Sequence, residues 1–300
     1  MQGTPGAVRR AGRAVKRFTL PSWWRPRSLR LVYVVVPHPD DEFEAWALLQ
    51  DRAGAYPVFV LCTHGERTVA ADGRAHQPEL GEWTPQPQPW AGPGSATVRA
   101  QRIASFHAFL DAMADVDRHL DRDLVDHGEL SDGPSAFRLH VGARSARVVF
   151  DGGDGRLTPA FVTAAVQRTR ALRFTHLPVQ DEDFVVGAAY VSAVAGSVRY
   201  THPDHRAVHA ALWETDQGVP GPQWCRTATA DPDVVRTGGR TERVTAPTYD
   251  AVMGIAPDGR RTGLLQVFYG WLGPPGGWPA GETDAETMWS RQQSFWRRFG

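Results

Sequence analysis

The run Pro37-His38-Pro39-Asp40-Asp41-Glu42 sets one imidazole beside a string of carboxylates, and a related run, Tyr200-Thr201-His202-Pro203-Asp204-His205, returns far downstream. An imidazole and a carboxylate spaced as His38 and Asp41 are can meet on one metal ion if the turn between them is held still. Proline on both sides of His38 stiffens that turn and lowers the entropy lost in ordering the ligands. Taken singly, each run has a plainer reading. Asp40 or Asp41 is a cap for the helix that follows, and His202 and His205 are a solvated helix start. Taken together, the two runs supply His, Asp and His, the mixed nitrogen and oxygen set of a catalytic zinc site with one position open for water. The chemistry such a set performs is hydrolysis. Zinc lowers the pKa of bound water to about 7, and a neighbouring carboxylate takes the proton and passes it to a leaving amine. A protonated imidazole aimed at the developing oxyanion stabilises it.

Side chains so far apart in sequence need a scaffold. Leu31–Val36 is a continuous β-branched apolar run, as expected of a strand buried on both faces of a parallel sheet. Phe43, Trp46 and Ala47 have helical spacing, which predicts a helix to about Arg52, and Val58–Cys62 reads as a second buried strand. Strand, helix and strand in that order predict a crossover unit in an α/β sheet. Ligands in such sheets bind beyond the carboxyl ends of the strands, where the PHPDDE run falls. Further along, the pattern predicts a helix over 97–114, a strand over 147–151, a helix over 159–172 and a helix over 203–214. Ala188–Val198 fits either helix or strand, and Met288–Phe299 reads as a terminal helix. Gly- and Pro-rich loops are expected at 72–95, 216–247 and 270–281.

The paired motifs resemble the LmbE/PIG-L family of zinc-dependent N-acetylglucosaminyl deacetylases, which includes the mycothiol-pathway deacetylase and antibiotic sugar deacetylases. The resemblance runs over roughly residues 30–215 in the family's order. It implies that His38, Asp41 and His205 bind Zn2+ and that Asp40 is the general base. It implies that His202 stabilises the oxyanion with Asp204 as its orienting partner, and that Tyr200 is an active-site tyrosine. Thr63-His64-Gly65-Glu66 is similar to the family's TxGE element, so Glu66 either faces substrate or sits on a surface turn. Asp154-Gly155-Arg156-Leu157 is similar to its PDGxL element, with Gly153 in place of the proline, and Asp154 is read as a sugar contact or a turn residue. Arg99 matches the arginine of the family's RxxE and is read as gripping a substrate anion or hydroxyl, but Arg102 stands where the glutamate belongs. His209, one turn beyond His205, is the competing metal ligand, while His64 and His107 are read as structural.

The implied fold is a single Rossmann-like layered α/β domain over 28–300, with a mostly parallel sheet, the metal site at the carboxyl ends of its strands, and a variable part from about 216. The implied substrate is a small-molecule N-acylated amino sugar or glycoconjugate. An amidase acting on a larger acyl group is the nearest rival. A non-enzymatic sugar- or nucleotide-binding α/β module is the rival of another class, and it lacks a glycine-rich phosphate loop after the first strand. Formal net charge is +0, which gives no case for a nucleic-acid partner. The basic extension over 1–27 is read as a loosely ordered tail in preference to a membrane-contacting helix. No stretch has the roughly 18 apolar residues of a membrane span. Cys62 and Cys225 have neither motif spacing nor disulfide density, which points to a reducing cytoplasm. The oligomeric state is left open.

Overall fold

The structure, a computed structural model, describes residues 29–50, 52, 54–68, 92–131, 136–172, 174, 180–191, 202–227, 240–254, 263–272 and 288–298. Strand β1 (Leu29–Val36) sits near the middle of the sheet. Because side chains alternate along a strand, Val32, Val34 and Val36 enter one core cluster, while Leu31, Tyr33 and Val35 enter a second on the opposite face. A 3-10 turn (Glu42–Ala45) and the short α1 (Trp46–Gln50) lead to β2 (Ala55–Leu61), which runs parallel to β1. Helix α2 (Ala96–Met113) starts at Ser95, whose side chain accepts a hydrogen bond from Val98 N. Strands β3 (Val125–Leu130), β4 (Phe137–Val141) and β5 (Ala146–Phe150) follow as an antiparallel set. Helix α3 (Pro159–Ala171), capped by Thr158, leads to β6 (Gln180–Val191) and then α4 (Pro203–Glu214). The last described elements are β7 (Gln223–Thr227), β8 (Arg240–Thr245), α5 (Tyr249–Met253), α6 (Leu264–Tyr269) and β9 (Gln292–Arg298).

All the described strands join one 9-stranded mixed sheet in the order β3-β4-β5-β2-β1-β6-β7-β9-β8. Its centre, from β5 through β2, β1 and β6 to β7, is parallel, and the flanks are antiparallel. Helices α1, α2, α5 and α6 pack in the first core, and α3 and α4 pack in the second, so the sheet lies between two helical layers. The chain moves outward from β1 to β2 and β5, then crosses back to β6 on the other side of β1. At such a reversal a crevice opens beyond the strands' carboxyl ends. The turn after β1 and the start of α4 face it.

The terminal segment departs from its expected form. Met288–Phe299 reads as helix, but Gln292–Arg298 is β9, paired with β7 and β8 on either side. Burial of Gln293 through Trp296 on both sheet faces explains this, because tertiary packing overrides a weak local helical pattern. The variable part from 216 likewise supplies three strands of the common sheet, two of which, Gln223–Thr227 and Arg240–Thr245, fall within the expected 216–247 loop. Up to Val191 the ambiguous Ala188–Val198 segment is strand, and its remainder lies outside the described residues. So do the basic extension, Tyr200 and most of the loops at 72–95 and 270–281. Among the described residues no helix is long and apolar enough to cross a membrane.

Gln293 shows how the terminal strand holds the site turn. Its Oε1 accepts from Ala47 N at 2.9 Å, and its Nε2 donates to Phe43 O at 2.6 Å. Gln293→Leu keeps the volume but strands both backbone groups in the core. We expect a loss of about 2–4 kcal/mol in unfolding free energy, read by urea denaturation. A loss below about 1 kcal/mol would show that water reaches these groups and that the clamp is unimportant.

Candidate metal centre

Val36 ends β1, and the chain turns sharply through Pro37-His38-Pro39. Thr63, just past β2, fastens this turn by donating from Oγ1 to Pro37 O at 2.9 Å. His38 and Asp41 are thereby brought face to face, with His38 Nδ1 at 3.1 Å from Asp41 Oδ2. From the other side of β1, α4 brings His205 in its first turn, and His205 Nε2 lies 3.1 Å from the same Asp41 Oδ2. One ligand atom from each of His38, Asp41 and His205 lies within 4.8 Å of the others, and all three residues are buried. Tetrahedral zinc with bonds near 2.0–2.1 Å separates its ligand atoms by about 3.3 Å, so the two contacts on Asp41 have the spacing that a metal requires.

Hydrogen bonding on the far side of each ring supports this fit. His205 Nδ1 donates to Tyr190 O at 2.9 Å, which leaves Nε2 as the ring atom facing the Asp41 carboxylate oxygen, and a bare Nε2 would set acceptor against acceptor. Two acceptors at that distance need a proton or a metal between them. His38 Nε2 donates to Asp204 Oδ2 at 3.0 Å and lies 3.4 Å from Asp154 Oδ1. A metal-binding histidine usually gives its other ring nitrogen to a carboxylate or carbonyl in this way. Burial alone would lower the His38 pKa, but Asp154, Asp204 and Asp41 together carry it well above the ordinary imidazole value. Burial alone would raise Asp41, and the His205 and His38 rings draw it well below the usual carboxylate range.

A second group, His38, Asp154, His202 and Asp204, also has metal-like spacing. It is the weaker of the two. Asp204 Oδ2 already accepts from His38 Nε2 and from Gly155 N at 2.7 Å, and Oδ1 accepts from Leu157 N at 2.9 Å. Asp154 Oδ2 accepts from Arg67 N at 2.6 Å. These carboxylates are committed to holding His38 and the loop after β5.

Asp40 occupies the mouth of the turn. It is the one non-glycine residue with positive φ (114°) among the described residues, a conformation that survives only where surroundings over-determine it. Here Asp40 N donates to Glu42 Oε2 at 2.9 Å, and Asp40 Oδ1 accepts from Arg102 Nη2 at 2.8 Å. Arg102 Nη2 also donates to Pro39 O. Burial pushes the Asp40 carboxyl up to about 7, against the pull of Arg102. The Arg102 side chain passes beneath Gly65, which has a φ of +63°. A Cβ there would lie 2.6 Å from Arg102 Nε, so only glycine leaves the arginine its place. Burial also lifts Glu42, to about 8, although its Oε1 accepts from Tyr269 OH.

No family model matches the chain, and no curated protein matches it. The reading of the site therefore rests on its geometry.

His202 caps α4, with Nδ1 accepting from Asp204 N at 3.3 Å, and its ring centroid lies 4.5 Å from that of His38. Burial, with the His38 and His205 rings beside it, pulls its pKa down to about 4. A neutral His202 with Nδ1 accepting carries its proton on Nε2, which differs from the protonated ring expected from sequence. Asp204, expected to orient His202 with its carboxylate, spends that carboxylate on His38 and the Gly155 and Leu157 amides. The expected substrate contacts are spread wider. Arg99, part exposed on α2, pairs with Glu66 at 3.5 Å and Asp151 at 2.9 Å, whereas Asp154 joins the His38 cluster. His209 lies away from the centre: Nε2 reaches Ala189 O at 2.6 Å and Arg226 O at 2.9 Å, and Nδ1 accepts from Trp296 Nε1 at 3.2 Å. His107 hydrogen-bonds Arg147, in keeping with a structural role.

Three residues at the site went unassigned in the sequence. Arg102 registers there only as a missing glutamate, although its i+3 spacing from Arg99 places both on one helix side. Glu42 and Glu44 carried a usable signal, since they flank Phe43 at the head of the apolar stretch to Leu49, and charged residues so placed are rarely buried without a task.

After Zn2+ reconstitution we expect about one metal per chain by elemental analysis, with loss on changing His38, Asp41 or His205 to Ala. His209→Ala should keep its metal. An empty reconstituted protein, or loss of metal from the His209 variant, would refute the assignment.

Proposed function

We propose that this chain is a zinc-dependent hydrolase of the LmbE/PIG-L type, built on a Rossmann-like layered sheet, that removes the N-acetyl group from an amino sugar or glycosylated natural product. The observation that carries the reading is the convergence of His38, Asp41 and His205 on one buried point, beside an Asp40 carboxylate held by Arg102. His38, Asp41 and His205 would hold the metal, which when bound polarises an amide carbonyl and makes hydroxide available near neutral pH.

This chain's residues divide the remaining work. Asp40 Oδ2 lies on the same carboxylate as the oxygen that Arg102 grips, and the carboxylate takes a proton from the attacking water. The same carboxylate returns that proton to the nitrogen of the leaving amine, so no net proton stays on the protein. His202 Nε2–H donates to the carbonyl oxygen as negative charge grows on it. Donation by a neutral imidazole suits a partly buried ring set beside His38 and His205, because the ring need not be ionised to give its hydrogen bond. Glu42, Tyr269 and Arg102, all buried, form the wall behind the base.

The assay is release of free amine from N-acetylglucosamine glycosides, with larger acyl groups on the same amine as a parallel series. Asp40→Asn keeps the size and removes the proton acceptor, so we expect metal retained and kcat reduced by about 10²-fold or more. Near-normal turnover in that variant would remove Asp40 from the mechanism. For His202→Ala we expect a fall of about 10²–10³ in kcat, with little change in KM and with metal retained. A variant that loses its metal would make His202 a ligand, and one that alters only KM would make it a substrate contact. Amine release confined to the larger acyl groups would replace the deacetylase reading with an amidase.

A further inference from the structure

β1 and β6 pair in parallel through Val35↔Gly187, after which β1 ends and turns into the metal-binding run. β6 continues to Val191, so its last residues extend past the strand that should satisfy them. On the other side the β6–β7 register shifts between Gly187 and Val191. The Tyr190 peptide groups therefore need partners from outside the ladder, since buried backbone groups are rarely left unpaired.

Both partners come from the candidate centre. Tyr190 N donates to Glu44 Oε2, and Tyr190 O accepts from His205 Nδ1 at 2.9 Å. Glu44 N donates in turn to Asp41 O at 2.9 Å, closing the turn that carries His38 and Asp41. Glu44 is fully buried, and burial and the Asp41 carboxylate lift its carboxyl well above the usual range, an effect that Arg226, whose guanidinium lies over the Tyr190 ring at 5.1 Å, only partly offsets. A single residue thus ties the first half of the site, through its backbone, to the carbonyl that orients the second half, through its side chain.

We propose that Glu44 is a positioning residue for the metal centre: by holding the Tyr190 peptide it fixes the His205 ring with Nε2 directed at Asp41 Oδ2. The inference rests on the metal reading of His38, Asp41 and His205. Its physical content is a hydrogen-bond acceptor at one place, not a charge. An apolar side chain of equal length lets the Tyr190 peptide rotate, and the carbonyl that sets the His205 tautomer moves with it.

The test is Zn2+ affinity, measured by competition with a chromophoric chelator, for the wild type, Glu44→Met and Glu44→Gln. Circular dichroism confirms that each is folded. Gln keeps an acceptor oxygen for Tyr190 N, and we expect its Zn2+ affinity to stay within about threefold of wild type. Met removes the acceptor, and we expect binding weaker by about tenfold to a hundredfold with the fold intact. Substituting Co2+ should show the change as altered visible absorption bands in the Met variant alone. Wild-type affinity in folded Glu44→Met would overturn the proposal, and equal weakening in Glu44→Gln would overturn the acceptor account. If Glu44→Met does not fold, Glu44→Asp, one methylene short of Tyr190 N, is judged by the same limits as the Met variant. A wild type that takes up no Zn2+ would fail the metal reading itself, and with it this inference, whereas the other two outcomes leave that reading standing.

Discussion

Asp41 Oδ2 is where the two halves of the site meet. His38 Nδ1 and His205 Nε2 each lie 3.1 Å from it, one delivered by the turn after β1 and the other by the first turn of α4. A buried carboxylate in such company is tolerable only if a cation is shared among the three groups, because an uncompensated buried charge costs several kcal/mol. The same demand shapes the surroundings. Asp154 and Asp204 brace His38 from behind, and Arg102 and Arg226 set positive charge against Asp40 and Glu44. The centre is first of all an electrostatic balance, and the sheet reversal beside β1 makes room for it.

Orientation in this centre is assigned mainly by backbone groups. A carbonyl at the end of β6 sets which nitrogen of His205 carries the proton, and an amide in α4 does the same for His202. The amides of Gly155 and Leu157 hold the Asp204 carboxylate that engages His38. Backbone dipoles fixed by strand and helix cannot reorient as side chains do, so these imidazoles keep one tautomer at little entropic cost. A site on the rims of regular elements gains this rigidity from the fold itself.

Much of this was legible in the residues. The β-branched run at 31–36, the helical spacing at 97–114 and the proline-started helix at 203 all mark elements that the structure contains, within a residue or two. The two HPD runs marked the residues that converge, because their chemistry is local and unusual. The rest depended on contacts that a single sequence does not encode. β9 reads as helix because its burial comes from neighbours far away in the chain. The hairpin of β3 and β4 escaped notice because β3 is largely exposed and its pattern is polar. Glu44 was hidden for a related reason: its partner is a backbone amide at 190, and backbone groups leave no trace in residue type.

Gly65 and Arg102 occupy one space between them, the first by having no side chain and the second by filling the gap with a guanidinium. Neither position is free to drift alone. A chain that acquired any larger residue at 65 would evict the arginine from Asp40, and one that lost the arginine would leave a void beneath a glycine no longer needed for room. Substitution at the two positions is therefore coupled, and any uncharged residue at 102 would also remove the positive charge that faces Asp40.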